Sequence, residues 1–199
     1  MSASRLRLSA VAVFILTLCS LPVGAAETPV PDKLIQDIRA WVSSPVVLLT
    51  LDARNRRGKD LDEKTILDLD KQWRAERKAA DQPLIAAVLS SPLSAYLTKI
   101  QAQSLGLYTE IFVMDAKGLN AGQSAVTSDY WQGDEAKFQK TFPVAADAVF
   151  IDAPEVSKET GTENVQVNMT IADGGKAAGA ITVEINLTEL RRRQQAGKF

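Results

Sequence analysis

Near Gly106 the spacing of apolar residues changes from the period of a helix to that of a strand, so neither an all-helical nor an all-strand fold can absorb the whole chain. Before that point, Leu34, Ile35, Ile38, Trp41 and Val42 recur on one face of a helix that begins at Pro31-Asp32. Ser43-Ser44-Pro45 breaks this helix and starts a second, with Pro45 in a first turn whose N–H groups have no helical partner anyway. Val46 to Leu51 packs the second helix, Ala53 to Lys59 carries it into water, and Gly58 ends it. A third helix begins at Asp62-Glu63 and aligns Ile66, Leu69 and Trp73. A fourth opens at Ser91-Pro92, turns Leu93, Tyr96, Leu97, Ile100 and Leu105 inward, and closes at Gly106.

Beyond Gly106 the pattern is that of strands. Glu110 to Asp115 reads as a buried strand, Ala116-Lys117-Gly118 as its turn, and Leu119 to Val126 as the return. Ser128-Asp129 resembles a helix start, followed by a short helix over Tyr130 to Phe142 with Trp131, Phe138 and Phe142 apolar. Val149-Phe150-Ile151 begins another strand, and Val165, Val167, Met169 and Ile171 alternate with polar residues in a strand with one solvated face. Asp173-Gly174-Gly175-Lys176 is a hairpin turn, Ala180 to Ile185 the last strand, and Leu187 onward a terminal helix. The expected fold class is therefore α+β: N-terminal helices packed with a five-stranded antiparallel sheet, one helix lying between its second and third strands.

The first 25 residues belong to another category. Arg5 and Arg7 precede an apolar run from Leu8 to Leu21, and Val23-Gly24-Ala25 then offers small residues before the polar Glu27. That order describes a signal peptide cleaved near Ala25, and the run is shorter than the ~20 residues a membrane span requires. An uncleaved N-terminal anchor is the rival reading. The expected product is periplasmic, one domain over 26–199, with a helical part to 106, a sheet part over 107–190 and a tail from 191. Cys19 is the sole cysteine and falls within the segment to be removed, so the mature chain carries no disulfide.

Loss of Arg5 and Arg7 takes the 23 basic residues to 21 against 24 acidic ones. A nucleic-acid partner is not expected from such a balance. The basic cluster Arg191-Arg192-Arg193 reads as a solvated helix end. More restrictive still, the chain has no histidine. Without histidine or a retained cysteine, Ser-His-Asp and Cys-His catalysis are excluded, and ordinary zinc and copper sites lose their preferred ligands. No enzyme activity, cofactor or metal is expected. The remaining enzyme reading would use Asp129 or Asp152 as a base, with Lys137 or Tyr130 as partner.

Several stretches, in their order and spacing, resemble the Cache superfamily, the PAS-like extracytoplasmic sensor domains of bacterial receptors. They are Ser44-Pro45 with Arg54-Asn55, Ile66 to Trp73, Glu110 to Gly118, Ser128 to Glu135, Asp173 to Lys176, and Gly179 to Val183. The likeness extends from Ile35 to Leu190. It implies a small-molecule pocket between the concave sheet face, the helix after the second strand and the neighbouring loops. Typical members sit between two membrane spans and continue into a cytoplasmic signalling domain. No second apolar segment precedes Phe199, so the expectation is a free-standing exported form that presents its ligand state to a membrane receptor partner.

By position in that resemblance, Asp129, Tyr130 and Trp131 are the candidate ligand-binding residues, joined by Lys137 and Asp152. Trp131 and Tyr130 could wall a pocket and Asp129 could hold a cationic or hydroxylated ligand. Equally, Asp129 could cap a helix, Trp131 could be core, Asp152 could end a strand and Lys137 could lie on a solvated face. No arginine occurs between Arg77 and Arg191, which removes an arginine clamp for a ligand carboxylate from the sheet half, and Asp129, Asp134, Glu135 and Asp152 favour a cationic or neutral ligand. Asp60-Leu61-Asp62-Glu63 reads as a helix-starting turn and Asp68-Leu69-Asp70 as a solvated face, since neither has the spacing of a calcium loop. The alternative function is a protein-binding accessory subunit of a receptor, with the N-terminal helix as a homodimer surface and Trp41 or Trp73 exposed upon it.

Overall fold

The computed structural model describes residues 29–158 and 160–198; the expected signal peptide and Cys19 lie outside them. Five helices come first: α1 (Asp32–Val42), α2 (Pro45–Gly58), α3 (Glu63–Glu76), α4 (Pro83–Leu89) and α5 (Pro92–Gln103). Strands β1 (Tyr108–Met114) and β2 (Asn120–Gln123) follow, then the short α6 (Ala136–Gln139), β3 (Val149–Ile151) and β4 (Glu155–Val156). A long hairpin of β5 (Glu163–Asp173) and β6 (Lys176–Asn186) leads into α7 (Leu187–Gln195). The result is the expected α+β fold.

Local chemistry sets the boundaries. The Asp62 carboxylate accepts from Thr65 N–H at 2.8 Å to start α3, and the Ser91 hydroxyl accepts from Ser94 N–H at 3.1 Å to start α5. Seven-residue α4 is too short to declare itself by periodicity. Its N-terminal N–H groups are satisfied from outside, by the buried Glu76 carboxylate accepting from Leu84 at 2.8 Å and Ile85 at 3.0 Å. The β5–β6 turn places Gly174 and Gly175 at φ 55° and 79°, the two positive values that a two-residue hairpin loop matched to strand twist requires.

All strand pairings are antiparallel, in the order β2-β1-β6-β5-β3, with the two-residue β4 added beside β5 as a sixth strand. Residues opposite one another share a face, so Ile111, Val183 and Val167 form one row of the inner face and Val113, Ile181 and Met169 the next. Helices α1, α2, α5 and α7 bury this face with Leu34, Ile38, Val47, Leu51, Leu97 and Leu190. The terminal arginines are not uniformly solvated. Arg192 pairs with Glu189 near water, whereas Arg193 donates to the carbonyls of Ser104 and Leu105 at 2.6 and 3.1 Å, holding α7 to the end of α5.

The outer face departs from the expectation of a solvated strand. Asn168 and Thr170 of β5 and Thr182 of β6 are buried there, because α6 and the chain after it lie across the sheet. Phe138 and Phe142 pack over Phe112, Met114 and Ala180 as a small second layer. The expected helix over Tyr130 to Phe142 is reduced to four residues. Leu119 bridges Trp131 in extended conformation, and the Asp70 carboxylate accepts from the N–H groups of Tyr130 at 2.9 Å and Trp131 at 3.1 Å. The Tyr130 carbonyl accepts from Asn120 N–H at 2.9 Å and Gln132 N–H donates to the Gly118 carbonyl at 2.8 Å, and this pairing with the chain around β2 leaves the segment extended rather than helical.

Candidate functional site

The outer face is filled by aromatic rings at one end only. At the other, β1, β6 and β5 bring Glu110, Glu184 and Gln166 side by side in one row. Glu135 to Lys137 at the start of α6 form one wall, and Asp152 and Ala153 in the β3–β4 connection with Glu155 of β4 form the other. Between them is a cleft of about 250 Å³ with Glu184, Gln166 and Asn164 on its floor.

Its electrostatics are one-sided. Glu135, Asp152, Glu155 and Glu184 line the cleft and Lys137 is the one basic residue among its lining. Lys137 is already committed: its ammonium lies 2.9 Å from Glu135, donates to Gln132 Oε1 at 3.3 Å and sits 5.4 Å from the centre of the Phe112 ring. Glu184 accepts from the Thr109 hydroxyl and from Asn164 Nδ2 at 3.4 Å, so its charge is partly solvated by neighbours. Glu110 beside it has less help. Burial, and then the adjacent Glu184 carboxylate, push Glu110 up to about 7, with Lys137 only partly offsetting them. A carboxyl held near neutrality can exchange its proton for a cation. Among the described residues no three carboxylate, histidine or cysteine side chains converge as a metal site.

The five residues singled out from the sequence are divided among three surroundings. Lys137 and Asp152 meet at this cleft. Tyr130 faces away from it, stacked on Trp73 at 5.2 Å between ring centres, its hydroxyl accepting from Arg54 Nη2 at 2.7 Å. Tyr130 forms part of a separate groove between α2, α4 and α5. Asp129 accepts from Gln132 Nε2 at 2.6 Å and from Arg74 Nη2 at 3.1 Å, so its carboxylate ties the loop to α3. Trp131 lines neither recess; its indole donates to Lys117 carbonyl at 2.9 Å and lies close to Gly118 and Gly133. Gly118, at φ 79°, has Gly133 so near that a Cβ there would meet its backbone at 2.7 Å.

Other residues emerge only from the structure. Asp70, expected on a solvated face, is buried; it accepts from Arg74 Nε at 2.7 Å as well as from the loop's N–H groups. Trp73 Nε1 donates to Thr127 carbonyl at 3.0 Å, and Arg77 to Ser128 carbonyl at 3.0 Å, so one face of α3 grips residues 127–131. Glu110 and Glu184 carry a faint signal in the sequence, each being a charge in the outward phase of an apolar strand. Their pairing depends on β1 lying beside β6, which no local pattern discloses. Trp73 is fully buried and Trp41 half-buried, so neither offers the exposed indole expected of a helical docking face.

No protein-family model matches this sequence, and a comparison with curated proteins finds no match either. Among solved structures, the chain is similar to the ligand-binding domain of the Campylobacter jejuni chemoreceptor Tlp3 in complex with 4-methylisoleucine, at 13% identity and a TM-score of 0.39, over 77% of this chain and 65% of that one. It is similar to the ligand-binding domain of the Pseudomonas aeruginosa amino acid chemoreceptor PctC in complex with GABA, at 15% identity and a TM-score of 0.38, over 81% and 63%. The ligand-binding domain of the Pseudomonas fluorescens chemoreceptor CtaA in complex with L-alanine gives 13% identity and a TM-score of 0.37, over 81% and 62%. The chain thus spans less than two thirds of each of these domains.

Proposed function

We propose that this protein is an exported sensory module that captures a small amine-bearing molecule in the outer-face cleft. The observation that supports this most is the charge of the recess: four carboxylates face one lysine, and a fifth carboxyl, Glu110, lies beside them held near neutrality. An entering ammonium replaces the Glu110 proton, donates its N–H groups to the carboxylates of the cleft, and offsets the repulsion that an ionised Glu110 would have with Glu184. Lys137, with two of its three N–H donors directed at Glu135 and Gln132, has one left for the carboxylate of a zwitterion. The proposed residues are therefore Glu110, Glu184, Asp152 and Lys137, with Asp129, Tyr130 and Trp131 fixing the segment that leads into α6. In this reading the protein resides in the periplasm after cleavage near Ala25 and presents its state to a membrane partner, with the N-terminal helix as a homodimer surface. The ligand acts on that partner only through unequal affinity for two conformations.

The test is a thermal-shift titration of the purified protein with putrescine, ethanolamine and GABA, beside acetate and succinate. A ligand at about 100 times its Kd stabilises by about 2.7 kcal/mol, a rise of roughly 5–10 °C for a chain of this size. The expected result is a shift with amines, absent with the dicarboxylate, lost in Glu184→Gln, and stronger at about pH 8 than at about pH 6 because binding displaces a proton. Amines that leave the melting temperature unmoved at every pH overturn the assignment.

A further inference from the structure

On the side of the molecule away from the carboxylate cleft, α2 stands off from α4 and α5 and leaves a groove of about 710 Å³ floored by Tyr130 and Ala121. One stripe of α2 faces it, Val46, Leu49, Thr50, Ala53, Arg54 and Arg57, at the spacing that keeps residues on one side of a helix for about 16 Å. Leu84, Val88 and Pro92 form the opposite wall. Leu49 is 67% exposed in this apolar setting, so the groove holds unburied hydrocarbon surface.

Its charge is opposite to that of the other recess. The lining contains two arginines and no acidic residue, in a chain with more acidic than basic side chains. Arg54 is fixed in place, its Nε donating to Asp115 at 3.3 Å and its Nη2 to the Tyr130 hydroxyl at 2.7 Å, with the side chain 22% exposed. Asp115 is spent on Arg54 and on the N–H groups of Lys117 and Leu119, at 2.9 and 3.1 Å. Arg57, one turn further on, makes no hydrogen bond or ion pair among the described residues. A pre-oriented guanidinium, an uncompensated one beside it and an apolar trough running away from both match one kind of guest. We infer that this groove binds a carboxylate carried on an apolar chain, its head between Arg54 and Arg57 and its tail along Leu49, Val88 and Pro92.

Octanoate is the probe, titrated into the purified protein by isothermal calorimetry, with octylamine as competitor. Leu49→Asp and Arg57→Ala alter only exposed groups, and unchanged melting temperatures verify that both variants fold. Saturable octanoate binding is expected, weakened at least about fivefold by either substitution and not displaced by octylamine. Absence of saturable binding, insensitivity to both substitutions, or displacement by octylamine overturns the inference. None of these outcomes bears on the amine cleft, whose charge is of the other sign and whose residues are untouched.

Discussion

Replacing Glu110 by Gln removes an ionisable group while keeping its size and its capacity for hydrogen bonds. In the folded protein Glu110 titrates at about 7, against 4.5 for an ordinary glutamate. Between those values the folded chain holds a proton that the unfolded chain has released. The stability this proton supplies is complete below the unfolded value and is lost as pH rises through the folded one, so the wild type weakens toward alkaline pH. At about 1.4 kcal/mol per pH unit the full loss is about 3 kcal/mol, which Glu110→Gln escapes. Melting temperatures of the two proteins should coincide within about 2 °C near pH 4.5 and diverge by roughly 6–12 °C near pH 8.5, the variant being the more stable. The measurement is a set of thermal melts by circular dichroism across that range, without added amine. An equal offset at both ends, or a wild type that gains on the variant as pH rises, would refute the reasoning.

Two further substitutions probe the loop that joins the two halves. Asp70→Ala strands the N–H groups of Tyr130 and Trp131 and leaves Arg74 one carboxylate fewer; a loss of about 2–4 kcal/mol is expected in urea unfolding, and less than about 1 kcal/mol would contradict the clamp. Gly133→Ala would place a Cβ 2.4 Å from Trp131 Nε1; it should cost about 1–3 kcal/mol and change tryptophan emission, and an unchanged spectrum would show that the indole is not held there.

How far the sequence discloses this molecule depends on the range over which each feature is determined. Helices α1, α3 and α5 and the β5–β6 hairpin are written locally, in apolar spacing, in Asp62 and Ser91, and in Gly174-Gly175, and they emerge where expected, except that Leu105, expected to face inward, lies past the end of α5 and is exposed. Helix α4 does not, because seven residues hold too little periodicity and its cap, Glu76, belongs to another helix. The helix expected over Tyr130 to Phe142 has the right composition. It yields because its first residues pair with the chain around β2 instead: the Tyr130 carbonyl accepts from Asn120 N–H at 2.9 Å and Gln132 N–H donates to the Gly118 carbonyl at 2.8 Å. The same limit governs the site. Lys137 and Asp152 can be picked out as charges near the right elements, but Glu110 and Glu184 become a pair only through the register of two strands that are neighbours in the sheet and far apart in sequence. Asp129 and Trp131 have the residue types of a binding site and are held in structural contacts.

The order of strands also governs when this chain can fold. β1 is hydrogen-bonded to β6, which ends at Asn186, and Leu51 of α2 lies against Gly179 of that same last strand. A chain emerging N-terminus first can pack α3 and α4 on each other and α5 on β1 and β2, but the inner sheet face that α1 and α2 cover is incomplete until β6 is made. Contacts this distant in sequence make for slow, late closure, in which loop entropy is lost before burial compensates it. Until β6 arrives, Leu34, Ile38, Val47 and Leu51 remain open to other chains, and shielding them falls to a chaperone or to speed of delivery.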